Sequence, residues 1–170
     1  MTLTNLAHLS PTKLGRIQAA LLLEFSTYPL SQAQVARIVK TAIISRGAFY
    51  TYFTDLSAAY RYLYQRALIE LHQPLTFENS LLINYDPQLY YKVAADFTRR
   101  LQNSCYYDFI KLHLIYNEPF LNTPASSSML LDSQHWQAMV LVHATIQDIL
   151  LKPTQREKYL ARLKAALIKQ

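Results

Sequence analysis

Glycine is almost missing from this chain: Gly15 and Gly47 are the only two among 170 residues. That scarcity excludes Gly-rich phosphate loops and disfavours turn-dense all-β folds. A single cysteine, Cys105, excludes a disulfide framework and any cysteine-based zinc site. No apolar run reaches the roughly 18 to 20 residues of a membrane span. The opening MTLTNLAHLSPTK lacks the basic start and long apolar core of a signal peptide. The expectation is therefore a cytoplasmic chain with no membrane partner. Charged residues are few, at 16%, against 51% hydrophobic, which excludes a disordered chain. Acid is the scarcest feature locally. None occurs between Glu24 and Asp55, while Arg37, Lys40 and Arg46 fall inside that gap.

What is present is basic and helical. Net charge is +6, and residues 1–72 carry seven basic and three acidic side chains. A local excess of that kind suits a phosphate backbone, although a solvated face has the same composition. Apolar residues recur at three- and four-residue steps along most of the chain, and no segment alternates as a strand would. Length fits one compact unit or two small subdomains sharing a core. The fold class expected is all-α.

Starts and stops are marked by caps. Ser10-Pro11 opens a first helix with the stripe Leu14, Ile17, Leu21 and Phe25, ended by Pro29. Ser31 with Gln34 has the spacing of a capping box for a short second helix that buries Val35, Ile38 and Val39. After the turn Thr41 to Ile44, Ser45 caps a third helix reaching Phe53. Thr54-Asp55 starts a long helix to about Leu71, and Asp86-Pro87 starts another to about Asn103. A further helix runs from near Cys105 to Asn117. Ser133 begins one to Leu151, and Pro153-Thr154 with Glu157 forms a second capping box for the last.

The third helix carries the chemistry. Phe49 and Phe53 point inward, while Arg46, Gly47, Tyr50 and Thr51 share the opposite side. Two short helices joined by a four-residue turn, with Arg and Tyr on the outer face, make a helix-turn-helix. Arg grips guanine or a phosphate, and Tyr50 and Tyr52 offer hydroxyls to phosphates. Gln34, Arg37 and Lys40 on the preceding helix are placed to clamp the DNA backbone.

The segment Val35 to Phe53, VARIVKTAIISRGAFYTYF, resembles the TetR family of transcriptional regulators. Ser45, Arg46, Gly47, Ala48, Phe49, Tyr50, Thr51, Tyr52 and Phe53 stand in register with that family's recognition helix, and the likeness covers roughly residues 10–72. The resemblance implies groove contacts from Arg46, Ala48 and Thr51, phosphate contacts from Tyr50 and Tyr52, and a DNA contact near Gln34. It implies a DNA-binding domain over 1–54. It also implies a helical domain over 55–170 that holds a small-molecule or protein effector and forms a homodimer through its last two helices. Two departures stand out: Ile43 occupies a turn position usually held by Gly, and Leu56 replaces a common Lys.

Aromatic residues are dense after residue 60. Tyr64, Tyr91, Phe97, Tyr107, His113 and Tyr116 are candidates to line an effector pocket; the same stripe also reads as plain core. Trp136, Val140 and His143, with Leu163 and Leu167, are the candidate dimer face. Two symmetric recognition helices would then require an inverted-repeat operator. His113, His135 and His143 lack ligand spacing, so no metal or other cofactor is expected. No catalytic constellation stands out, so an enzyme is not expected. The competing reading keeps the fold but not operator binding: a helical protein-interaction or small-molecule-binding protein, motivated by Ile43 and Leu56.

Overall fold

A computed structural model describes residues 6–72, 85–117 and 132–168. Among them are eight α-helices and no strand. They are α1 (Pro11–Thr27), α2 (Val35–Ala42), α3 (Arg46–Tyr52), α4 (Leu56–His72), α5 (Pro87–Gln102), α6 (Tyr107–Leu112), α7 (Ser133–Leu151) and α8 (Arg156–Ile168). A 3-10 turn, Leu30–Gln32, precedes α2; a π-turn, His113–Asn117, continues α6; a second 3-10 turn, Pro153–Gln155, precedes α8. No described helix is long and apolar enough to cross a membrane.

Four helix starts follow the expected local chemistry. Ser10 Oγ accepts from the Lys13 amide, Ser45 Oγ from Ala48, Asp55 Oδ1 from Ala58 and Asp86 Oδ1 from Gln88. Each answers one of the orphan amides of a first helical turn. The two expected capping boxes do not form. Gln34, not Ser31, is the N-cap residue of α2, and it caps through no side-chain bond. Its own amide is taken by the Glu24 carboxylate at 2.7 Å, so a partner ten residues away replaces the local one. Thr154 likewise lies inside a 3-10 turn with no side-chain cap. For α7 the cap is Asp132, whose carboxylate accepts from the His135 amide.

The chain divides into two compact units. The first comprises the residues up to Glu70 together with the segment from Tyr106. This differs from a division after residue 54, because α4 packs here through Tyr60 and Leu63, both essentially fully buried. Helix α1 packs on α2 and on α6. The rings of Phe25, Tyr60 and Phe109 meet at centroid distances of 5.0 to 6.5 Å. Gln18 Nε2 donates to the Tyr62 hydroxyl at 2.7 Å, tying α1 to α4.

The second unit holds α5, α7 and α8, each packed on the other two. Its core includes Tyr90, Ala94, Ala138, Val142, Ile149, Leu160, Leu163 and Leu167. Each fully buried leucine contributes about 1.5–3 kcal/mol relative to exposure. Arg156 Nη2 donates to the Ala95 carbonyl at 2.9 Å, fastening the start of α8 to α5.

Candidate nucleic-acid interface

Helices α2 and α3 cannot stand alone, since seven or eight residues are too few for a stable helix in water. They are pinned from behind by Ile38, Ala42 and Phe49, all fully buried. The link between them is a Schellman motif: the Ile44 amide donates to the Val39 carbonyl at 3.1 Å, and the Ile43 amide to Lys40 at 3.4 Å. This motif needs a left-handed residue at its centre. Ile43 supplies it with φ 54° and ψ 54°, the only positive φ at a non-glycine residue among those described. A β-branched side chain there is strained, and 73% of Ile43 is exposed. The turn thus holds isoleucine in a backbone conformation that glycine adopts without strain.

The outward side of α3 presents Arg46, Gly47, Tyr50 and Thr51, all exposed. The Arg46 guanidinium lies 5.9 Å from the Tyr50 ring centroid. Thr51 Oγ1 donates to the Gly47 carbonyl at 3.1 Å. Exposed Lys40 ends α2 on its basic last turn. Neither Lys40 nor Arg46 is paired with an acid among the described residues. Gly47 has no positive φ, and a Cβ built on it would meet only Ser45 Oγ, at 3.9 Å. Neither the backbone nor the packing of this chain therefore requires glycine at that point.

Other candidates are placed differently. Arg37 is turned inward: its Nε and Nη2 donate to the buried Glu24 carboxylate at 2.6 to 3.0 Å, and Nη2 also reaches the Gln32 carbonyl. Its guanidinium stacks 3.9 Å over the Tyr28 ring. The hydrogen bonds to Glu24 raise its pKa further, so it stays charged. Arg37 is a strut between α1 and α2 rather than an open cation. Tyr52 is 8% exposed and packs in the first unit's core, with Lys13 over its ring at 5.7 Å. Ser45 spends its hydroxyl on the α3 cap. Ala48 is half-buried, Thr51 is exposed on the outer side, and Gln34 is exposed at the start of α2.

The six pocket candidates are divided between the two units. Tyr64 and His113 meet in the first unit with centroids 4.2 Å apart. Tyr107 belongs to that unit too, and Tyr116 there is 53% exposed. Tyr91 and Phe97 belong to the second unit, Tyr91 against its core and under Lys164 at 5.7 Å. Of the dimer candidates, Trp136, Val140 and His143 lie on an exposed stripe of α7, with Met139 beside them. Leu163 and Leu167 are instead consumed by the second unit's own core, where α8 packs on α5 and α7.

Compared with known proteins, the chain matches no family model and no curated sequence.

Proposed function

We propose that the protein is a sequence-specific DNA-binding regulator that reads the major groove with α3. The observation that supports this most is the outer face of α3: Arg46, Gly47 and Tyr50 are exposed, and the fold itself neither pairs Arg46 with an acid nor requires Gly47. A groove about 12 Å wide admits one helix, Arg matches guanine bidentately, and a bare Gly allows backbone to approach closely. In this reading the exposed Lys40 and Tyr50 contact phosphates. The resemblance of residues 35–53 to TetR regulators favours the same assignment. Arg37 and Tyr52 act in this reading by holding the helix pair rather than by touching DNA.

A homodimer joined through the α7 stripe of Trp136, Val140 and His143, an inverted-repeat operator, and repression controlled by a small-molecule or protein effector belong to the same proposal. A second reading, in which the helix pair engages a protein instead, draws on Ile43, an exposed apolar side chain at a strained turn.

The test is selection of random DNA fragments by the purified protein at low and near-physiological salt, followed by titration of the enriched sequence. Arg46→Ala is expected to cost about 1–3 kcal/mol and relax one operator position, whereas Lys40→Ala weakens binding across sequences and lowers the salt slope by about one. Binding that vanishes with salt and enriches no motif would reduce the interaction to phosphate attraction.

A further inference from the structure

Behind the helix pair lies a buried polar chain that neither the packing of α2 and α3 nor the recognition face accounts for. The Leu30 amide, at the start of the turn that leads into α2, donates to Asn117 Oδ1 at 2.9 Å. That donor fixes the orientation of the Asn117 amide, whose Nδ2 then donates to the Tyr60 hydroxyl at 3.2 Å. Having accepted there, Tyr60 has its proton left to give, and His113 Nδ1 lies 3.1 Å away. His113 is thus the terminal acceptor, a neutral imidazole with its proton on Nε2. Asn117 and Tyr60 are fully buried, and His113 is 4% exposed. The contacts span 53 to 87 residues of sequence. His113 and Asn117 both sit in the π-turn, a local departure from α geometry of the kind found at functional sites.

We propose that Leu30, Asn117, Tyr60 and His113 form an acid-sensitive latch that sets the entry of the chain into α2 and so the presentation of α3. Its direction makes it sensitive. A second proton on His113 converts the terminal acceptor into a donor, leaving the Tyr60 proton without its partner and a charge inside the aromatic cluster. The titratable groups facing His113 from α4 are the hydroxyls of Tyr60 and Tyr64. From α1 the cluster receives Phe25, and the one buried acid of that helix, Glu24, is committed to Arg37 and the Gln34 amide. No carboxylate among these groups offsets the added charge. Burial lowers the His113 pKa from 6.5 to about 4. The latch is therefore fully stable above pH 6.5 and loses stability as pH falls toward 4.

The proposal rests on the DNA-binding reading only for its consequence, and hydrogen exchange tests it without DNA. Protection of the Leu30 amide is measured from about pH 7 to about pH 5 against that of Leu21 in α1, which separates local opening from global unfolding. With the values above, opening at Leu30 is expected to rise roughly twentyfold between those limits, with Leu21 remaining the better protected. His113→Gln, which retains polarity but does not titrate, should flatten the dependence. Should that variant not fold, the Nδ1 resonance of wild-type His113 takes its place: it should report an unprotonated acceptor at neutral pH that changes in step with Leu30 exchange. Protection at Leu30 that ignores pH, or that equals the protection of Leu21 at every pH, overturns the latch. If Leu30 opens as expected and selected DNA is released over the same range, both readings stand. Opening with no DNA bound at any pH upholds the latch and counts against the DNA reading.

Discussion

Ile43 is held in a conformation its side chain resists, and the surroundings show what enforces it. Both hydrogen bonds of the Schellman turn, to Val39 and Lys40, close only if this residue is left-handed. Leaving that region would orphan carbonyls at the end of α2 and misdirect α3. The side chain, mostly in solvent, recovers little by burial. Replacement by glycine removes the strain but adds freedom to the unfolded chain. Ile43→Gly is therefore expected to stabilise the first unit by about 1 kcal/mol, read as a higher urea midpoint. A lower midpoint would show that the isoleucine side chain has a packing role its exposure does not reveal. Arg37 teaches the opposite lesson. Its position suggested an open cation, but Glu24, Gln32 and Tyr28 occupy it from three directions.

At the level of the element, α3 spends stability on a residue that its own fold does not ask for. Glycine inside a helix costs about 0.5–1 kcal/mol relative to alanine. Gly47 has room for the extra methyl, so Gly47→Ala should raise thermal stability by that amount while weakening binding to the selected operator. Gly15 on α1 has equal room and offers a control for the stability arm. If Gly47→Ala left operator affinity unchanged, α3 would not approach the groove through that residue. The same scale shows what the sequence could and could not convey. Caps at Ser10, Ser45, Asp55 and Asp86 were legible because donor and acceptor lie within three residues of each other. The Ser31–Gln34 box failed because Glu24, on another helix, captured the Gln34 amide first. The π-turn could not be read at all, since its residues have ordinary helical composition and its geometry answers to Tyr60 and Leu30. Likewise the α3 face followed from helical spacing alone, whereas the buried fate of Tyr52 depended on neighbours supplied by other helices.

For the whole molecule, what matters is how much apolar surface the chain already covers and how much it leaves open. Helix α8 is satisfied: Leu160, Leu163 and Leu167 all belong to the core it shares with α5 and α7 within one chain. Helix α7 is not, because its inner side buries Ala138, Val142 and Ile149 while its outer side leaves Trp136 52% and Val140 47% exposed. If a second copy covers that outer side, Leu163 and Leu167 take no part in the contact, as both are buried in the core of their own chain. Trp136 is the only tryptophan, so intrinsic tryptophan fluorescence reports on this surface alone. Dilution across the association range should move its emission to longer wavelength as the indole passes from a covered to a wet environment. Sedimentation should place the same transition between dimer and monomer. Val140→Glu should shift that transition to higher protein concentration, because each copy would bring a charge to a self-complementary face. The fold of the single chain should tolerate that change, since the side chain it replaces is already half in solvent. An emission maximum independent of concentration, with a sedimenting monomer throughout, would remove the dimer, and with it the expectation of an inverted repeat. A single α3 would then have to read its site alone.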